Sequence, residues 1–360
     1  MGLAELTIRQ VRARPVTVPL RRPVRTAVGT ISAAPLVLLD VLTEEGITGH
    51  AYLFAYTPLA QAPLAQLLQD LSGELAGQAV VPFARQRQLG RRFRLLGWQG
   101  LVGMAVSGLD MAFWDILAKA ADAPLVRLLG GEPSPIPAYD SYGMIEPKAD
   151  ARDLEASLEA GFKAIKIKLG EGDLDRDVEM LTGVRAIIGA DTVLMADYNQ
   201  SLTPVEAIRR IARLEPFNLA WIEEPVPAED LEGHARVRAA SSVPIQTGEN
   251  WWFPRDMRKA IAAGACDLAM PDVMKIGGVS GWLQAAAQGE AASIPVSSHV
   301  FLEASAHLLA VTPTAHYLEH LDFAGSILLD PPRIVDGYLQ AQGPGLGLAW
   351  DERAMARLTA

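Results

Sequence analysis

The sequence predicts an α/β protein: a (β/α)8-type, modified TIM barrel with an N-terminal α+β capping domain that is completed by the C-terminal tail. The main observation is that polar residues close successive apolar runs at intervals of 23 to 27 residues: Asp197, Glu223, Glu249, Asp272 and His299. A βαβ step takes roughly 25–35 residues, so this period places each polar side chain at the same end of successive parallel strands. In such a barrel that end carries the active site.

The first 134 residues lack this period, which indicates a separate capping domain. Three alternating, β-branched segments predict antiparallel strands: 3–20, 35–42 and 47–54. The segment 21–34 predicts a long loop, which in a compact domain is often a lid. Helical periodicity follows in four segments: 58–76, 82–95, 99–122 and 124–129. Three strands followed by helices are typical of an α+β module rather than of the opening of a barrel.

Residues 135–320 are predicted to form the barrel. Eight strand-like segments alternate with helical patterns: 137–141, 163–168, 192–197, 219–223, 244–248, 267–271, 295–298 and 316–320. This alternation is typical of a parallel sheet. Residues 321–360 lose the repeat and are predicted to form a tail that packs back on the capping domain.

Composition narrows the classes of function. Half of the 360 residues are hydrophobic, the formal net charge is −10, and no basic stripe is present, so nucleic acid is not an expected partner. Cys266 is the single cysteine, which suits a reducing compartment. The N-terminus has no apolar signal segment, and no run of about 18 apolar residues predicts a membrane span. These features predict a cytoplasmic protein without a membrane partner.

Three carboxylates that follow consecutive predicted strands, Asp197, Glu223 and Glu249, predict a metal site. When carboxylates point into the same barrel mouth, their like charges raise one another's pKa, and a bound cation relieves the repulsion. All-oxygen ligation with open positions favours Mg²⁺ as the cofactor. Each acid taken singly is more typical of a surface charge or a helix cap. The shared register of all three favours the metal.

Lysines and a histidine supply candidate acid–base groups. Lys166 and Lys168 share one face of a strand, so their repulsion near a metal predicts that one has a lowered pKa and acts as a base. Alternating lysines also occur on exposed strand edges. Asp272 is predicted to bind one ring nitrogen of His299 and raise its basicity. Glu319, near the eighth strand end, is a candidate protonated donor, although an exposed acid would explain it equally well.

Strand order puts Lys168 on the second strand and His299 on the seventh, facing each other across the mouth. A carboxylate substrate held there by Mg²⁺ would lose its α-proton to one base, giving a dianion that needs electrostatic stabilisation. Reprotonation from the opposite face inverts the carbon. The pattern therefore predicts racemisation.

Long segments of the chain closely resemble the mandelate racemase subgroup of the enolase superfamily. The matching segments span almost the whole length: 26–30, 34–38, 53–58, 138–141, 197–202, 221–225, 248–251, 270–279 and 305–310. They include Trp-Ile-Glu-Glu-Pro at 221–225 and Gly-Glu-Asn-Trp at 248–251. The resemblance implies a homo-oligomer, commonly an octamer, that acts on a small α-hydroxy carboxylate.

The resemblance also implies roles for individual residues. Lys168 would be the base for the (S)-face, and His299, oriented by Asp272, the base for the (R)-face. The other implied roles are neutralisation of the substrate carboxylate by Lys166, a hydrogen bond from Glu319 to the enediolate carboxyl, contact of Asn199 with the α-hydroxyl, a place for Ser141 near the carboxylate, and Mg²⁺ ligation by Asp197, Glu223 and Glu249.

The predicted lid and the hairpin behind it offer mainly apolar side chains to the substrate: Val24, Val28, Ile31, Phe54 and Tyr56. A sugar acid would leave hydroxyls without partners there, at about 1–3 kcal/mol each, whereas an aryl group gains burial at roughly 25 cal/mol per Å². These side chains would also serve simply to pack the lid. Arg25 departs from the subgroup's pattern and is a candidate partner for a second acidic group on the substrate.

The expected activity is Mg²⁺-dependent racemisation of mandelate or a related aryl α-hydroxy acid through an enediolate. A sugar-acid dehydratase that uses the same Lys168 and His299 is the alternative. A non-catalytic barrel that binds small acids is a third hypothesis. Cycloisomerisation is disfavoured, because lysines on both sides of the mouth would be expected for it.

Overall fold

The N-terminal cap contains a three-stranded antiparallel sheet in the computed structural model, which describes residues 5–26 and 29–358. The strands follow chain order: β1 (Ile8–Thr26), β2 (Gly29–Thr43) and β3 (Thr48–Phe54). Four helices come next: α1 (Pro58–Leu75), α2 (Pro82–Arg92), α3 (Gly100–Ala120) and α4 (Leu125–Leu128). The central strand β2 is buried on both faces beyond its first five residues, which explains its nearly continuous apolar run.

The segment predicted as a lid loop is a strand pair, so that prediction was wrong. Val24 lies opposite Ile31 in the antiparallel register, which continues to Thr26 opposite Gly29. A register shift between Pro19 and Val24 interrupts the pairing, because proline has no N–H to donate to the ladder. The strand accommodates Pro19 and Pro23 at this bulge. Ala27 and Val28 lie outside the described residues, and with them the predicted site role of Val28.

The barrel follows as a regular alternation of strands and helices. Its elements are β4 (Ile136–Ser141), α5 (Ala151–Glu159), β5 (Ala164–Lys168), α6 (Leu174–Ile188), β6 (Val193–Asp197), α7 (Pro204–Leu214), β7 (Leu219–Glu223), α8 (Leu231–Ala240), β8 (Ile245–Thr247), α9 (Phe253–Ala263), β9 (Leu268–Ala269), α10 (Gly278–Ala292), α11 (Leu302–Leu309) and β10 (Leu318–His320). Asp173, Thr203 and Asp230 cap three of the helices, because each side chain accepts a hydrogen bond from a backbone N–H of the first turn.

The parallel sheet runs in the order β10-β4-β5-β6-β7-β8-β9. The segment 295–299, which follows α10 and precedes α11, closes the ring through isolated bridges to the strands on either side. Ser297 N–H donates to Ala269 O at 2.8 Å, and Ser298 N–H donates to Tyr317 O at 2.9 Å. In the described part of the chain, β10 is followed by a 3-10 turn and the tail rather than by a barrel helix. The predicted capped α/β barrel is confirmed, and the described residues form seven barrel helices for eight strand positions.

The tail contributes β11 (Tyr338–Leu339), which pairs with β4, and α12 (Glu352–Leu358). It contacts the cap through two buried carboxylates. Trp350 Nε1 donates to Asp40 Oδ1 at 2.7 Å, and the backbone N–H of Leu346 donates to Asp115 Oδ1 at 2.7 Å. The division of the chain at residues 134 and 320 stays a prediction.

One described helix, α3, is long and apolar enough to cross a membrane by length and composition. Of its most apolar window, 83% is buried inside the protein. Burial of this kind is typical of the core helix of a soluble protein.

Candidate active site

The carboxyl ends of the barrel strands bring the predicted metal ligands onto adjacent positions. Asp197 and Glu223 end β6 and β7 and are register partners. Glu249 follows β8 after Gly248, whose φ of +139° is open only to glycine and where a Cβ would lie 2.9 Å from the backbone N of Met270. This tight turn carries the third carboxylate to the mouth beside the other two.

The lysine side of the mouth is built on β5. Lys168 lies opposite Asp197 in the register, and its Nζ lies 2.5 Å from Asp197 Oδ2. Lys166 is fully buried, with its Nζ 2.8 Å from Glu223 Oε1 and 2.7 Å from Glu319 Oε1. Lys168 is therefore held by a carboxylate of the neighbouring strand β6, and Lys166 by carboxylates of β7 and β10, which each lie two strands away from β5.

The opposite side is built on the segment 295–299. His299 Nδ1 lies 2.7 Å from Asp272 Oδ2, and Asp272 Oδ1 accepts the backbone N–H of Met274 at 2.6 Å. The other ring nitrogen, Nε2, lies 3.2 Å from Glu249 Oε2 and 3.9 Å from Glu319 Oε2. Asp272 is completely buried, so it fixes the imidazole and leaves Nε2 directed at the site.

These ion pairs set the protonation of the site and correct two predictions. Burial opposes the charge of both lysines, but neighbouring carboxylates raise the pKa of Lys166 well above its usual value and also raise the pKa of Lys168. The predicted lowering of a lysine pKa is wrong with these pairs in place, because each ammonium has an acid beside it. Glu319 was predicted to be protonated. Burial favours that form, but Lys166 and His299 lower the pKa of Glu319 to about 2.

Two further groups show how crowded the carboxylates are. Burial, together with Asp197 and the other nearby acids, raises the pKa of Glu223 to about 8. Although burial opposes its charge, Glu249 and Asp272 raise the pKa of His299 to about 9. The site holds more acids than cations, so an added cation would stabilise it.

The donor set fits a hard divalent cation. Asp197, Glu223 and Glu249 offer only oxygen ligands, as Mg²⁺ prefers. Within residues 5–26 and 29–358, no three His, Cys, Asp or Glu side chains already converge as a metal cluster. The three carboxylates instead face Lys168, Lys166 and His299. Metal binding would therefore replace these ion pairs and release the two lysines and the imidazole toward a substrate.

The residues predicted to contact substrate fall into two groups. Ser141 ends β4, and its side chain hydrogen-bonds to Glu319. Asn199 has a left-handed backbone with φ of 43°, and its N–H donates to Asp197 Oδ1 at 2.7 Å. Both therefore lie at the mouth.

Among the cap residues, Val24 is buried, Ile31 is half-buried and Tyr56 is 38% exposed. Phe54 packs in the core, with its ring 4.4 Å from that of Phe323, so packing explains it better than substrate contact. Arg25 forms an ion pair with Asp150, and its Nε donates to Met144 O at 2.8 Å. Asp150 of the protein thus already supplies an acidic partner for Arg25, and contact of Arg25 with a second acid of the substrate stays a prediction.

Sequence reasoning missed a second set of buried polar residues around the site. Lys275, Asn250 and Glu224 form a hydrogen-bonded chain beside Glu249. Arg22 of β1 makes a bidentate ion pair with Asp140 at 3.0 and 3.1 Å. The sequence feature that could have indicated Lys275 is a single charge inside the apolar stretch that follows Asp272.

The fold and the site together define an enzyme whose acids and bases ring the mouth of a capped barrel. The chain belongs to the mandelate racemase and muconate lactonizing enzyme family of the enolase superfamily. Residues 8–130 match the family model described as the mandelate racemase / muconate lactonizing enzyme N-terminal domain, and residues 149–354 match the enolase C-terminal domain-like model.

Solved and curated relatives agree with this assignment. The chain is 59% identical to an enolase from Bradyrhizobium crystallised with magnesium and mandelic acid, with a TM-score of 0.97 and 99% of each chain covered. It is 32% identical to the 3,6-anhydro-alpha-L-galactonate cycloisomerase of Streptomyces coelicolor, over 98% of this chain and 99% of the relative. It is 30% identical to the L-talarate/galactarate dehydratase of Salmonella typhimurium, over 90% and 82%. Bound magnesium in similar structures confirms the predicted cofactor.

Proposed function

We propose that this protein is a Mg²⁺-dependent racemase of mandelate or a related aryl α-hydroxy acid, with Lys168 and His299 as the two bases. The observation that carries the proposal is the separation of these side chains around one ring. On one side only β4 and β10 lie between β5 and the segment 295–299. On the other side lie the strands that carry Asp197, Glu223 and Glu249. A substrate bound above these carboxylates would have one base on each side.

Each base would act on one face of the substrate. Lys168 would take the α-proton of the (S)-enantiomer, and His299 would return a proton to the other face of the planar enediolate. The reverse sequence would convert the (R)-enantiomer. Asp272 keeps the Nδ1 proton of His299 in place, so that Nε2 is the nitrogen that exchanges.

Other residues would bind and polarise the substrate. Lys166 lies between Glu223 and Glu319, where an ammonium would neutralise the substrate carboxylate. Asn199 would contact the α-hydroxyl and Ser141 the carboxylate. When bound, Mg²⁺ supplies positive charge that stabilises the negative charge developing on the substrate carboxylate.

Two observations support an aryl substituent on the substrate. The cap side chains Val24 and Ile31 have no hydrogen-bonding group and Tyr56 has one hydroxyl, so most hydroxyls of a sugar acid would lack partners there, at about 1–3 kcal/mol each. In addition, the similar Bradyrhizobium protein was crystallised with mandelic acid. A related aryl α-hydroxy acid would satisfy the same contacts.

The test is hydrogen exchange in D₂O with each enantiomer of mandelate and with a set of aryl hydroxy acids. Both enantiomers should exchange their α-proton for deuterium and lose optical purity, and the reaction should require Mg²⁺. Absence of exchange with every aryl hydroxy acid would refute the proposal.

A sugar-acid dehydratase is the second candidate, because the chain is 30% identical to an L-talarate/galactarate dehydratase. In that reaction one base would remove the α-proton and His299 would protonate the departing β-hydroxyl. A screen of acid sugars for keto-acid product, run beside the mandelate assay, separates the two activities. Stabilisation by ligand without turnover in either assay would favour a non-catalytic binding protein.

A further inference from the structure

A buried lysine that the proposed mechanism does not use lies beside the carboxylates. Lys275, between β9 and α10, is 4% exposed, and its Nζ donates to Asn250 Oδ1 at 2.7 Å. A buried ammonium is costly unless its donors are used and its charge is balanced. Here the nearby charges are Glu224 and Glu249, both of which Lys275 influences.

Asn250 links Lys275 to the carboxylates through hydrogen bonds. Its Nδ2 donates to Glu224 Oε2 at 2.8 Å and to Glu249 Oε1 at 3.2 Å. An asparagine amide has a donor end and an acceptor end, so the ammonium at Oδ1 decides which end faces the acids. Without Lys275 the Oδ1 atom loses its partner, and the amide is held in place only by its two contacts with the carboxylates.

The same ammonium also touches the cap. Lys275 Nζ lies 4.6 Å from the ring centroid of Tyr56, which follows β3 and has a left-handed backbone with φ of 59°. A cation over an aromatic face is attracted by the ring. One side chain therefore contacts the cap on one side and, through Asn250, Glu249 on the other.

We propose that Lys275 is a positioning residue, which orients Glu249 toward the metal through Asn250 and ties the cap to that carboxylate through Tyr56. The inference rests on the proposed function for the role of Glu249 as a Mg²⁺ ligand. Lys275 itself needs no contact with substrate.

Calorimetric titration of Mg²⁺ into the metal-stripped full-length protein tests this directly. Lys275→Met and Asn250→Ala should each weaken Mg²⁺ binding by about 10–100-fold, the usual cost of losing a partner that orients a metal ligand. The double variant should bind no more weakly than Asn250→Ala alone, because both substitutions break one chain. Lys275→Arg, which keeps a charged donor, should recover most of the affinity. Lys259→Met is the matched control, since that lysine side chain is 60% exposed on α9.

The direction of the change in Mg²⁺ affinity distinguishes a positioning role of Lys275 from a simple effect of its charge. If Lys275 acted only as a nearby positive charge, its removal would tighten Mg²⁺ binding. An affinity of Lys275→Met equal to or tighter than that of Lys259→Met would overturn the proposal. If Lys275→Met fails to fold, Asn250→Ala decides, because it changes no charge. Unchanged Mg²⁺ affinity in that variant would also overturn it. Weakened Mg²⁺ binding in a protein that exchanges no aryl hydroxy acid would refute the proposed function and leave this inference standing.

Discussion

The two sides of the barrel mouth hold their bases in different ways. Lys168 is paired directly with Asp197, which is a candidate metal ligand. His299 has a separate acid, Asp272, which is predicted to bind no metal and is itself fixed by a backbone N–H. Metal binding would release both bases from candidate ligands, but the imidazole keeps Asp272 as a second acid that fixes its orientation, whereas Lys168 has no such separate acid among its ion pairs in the described residues. This difference predicts that a substitution on one side of the mouth leaves the base on the other side able to act.

The largest effect is expected when either base is removed. His299→Asn should lower racemisation by about 10²–10⁴-fold, the usual worth of a positioned acid–base group, while (S)-mandelate still exchanges its α-proton in D₂O. Lys168→Met should show the mirror image, with exchange confined to (R)-mandelate. Proton NMR of each enantiomer follows the exchange, and Lys259→Met serves as the control. Loss of exchange from both enantiomers in His299→Asn would contradict the assignment of two independent bases.

A smaller effect is expected when only the orientation of the imidazole is disturbed. Asp272→Asn should slow reaction from the (R)-enantiomer by roughly 10²-fold, because an amide can hold the ring in the wrong tautomer. Exchange of (S)-mandelate by Lys168 should change much less. The ratio of the two exchange rates is the measurement, and Asp175→Asn, an exposed acid in the first turn of α6, is the control. Equal losses from both enantiomers would indicate a general disturbance of the site instead.

A third effect concerns stability and pH rather than the reaction rate. Glu249 and Asp272 raise the pKa of His299 to about 9, above its usual value near 6.5. A raised histidine pKa stabilises the folded state fully below about pH 6.5, and this stabilisation is lost as the pH rises toward 9. In the presence of a chelator, the wild-type protein should lose up to about 3 kcal/mol more stability than His299→Asn between pH 6.5 and 9. Thermal unfolding across that range measures it. Parallel Tm curves would show that the imidazole carries no extra proton.

Regular spacing explains why so much of the barrel was predictable. Strand and helix lengths fix where each polar side chain emerges, so the intervals from Asp197 to His299 indicated both the parallel sheet and the contact between Asp272 and His299. Side-chain roles other than that contact stay predictions. Protonation was less predictable, because the pKa values of Lys166 and Glu319 depend on partners from distant strands.

Short stretches of sequence were misleading where contacts between distant residues determine the structure. The segment 21–34 was predicted to be a loop, but β1 and β2 both extend into it and accommodate Pro19 and Pro23 at a bulge. Arg25 looked free because its partner, Asp150, lies far away in sequence. Lys275 was overlooked because it contacts the site indirectly, through a hydrogen bond to Asn250. The spacing of residues in the sequence does not indicate such a contact.

The three-residue strand β10 gives the cap and the site a common support. Glu319 reaches inward to Lys166, while the next residue, His320, lies 3.0 Å from Asp140, the acid that grips Arg22 of the cap. Because neighbouring side chains of a strand point to opposite faces, inserting one residue before Leu318 would exchange these two directions. Such an insertion would remove the His320 contact from Asp140 and the carboxylate of Glu319 from Lys166 in a single event, so the length of the preceding connection is constrained from both sides.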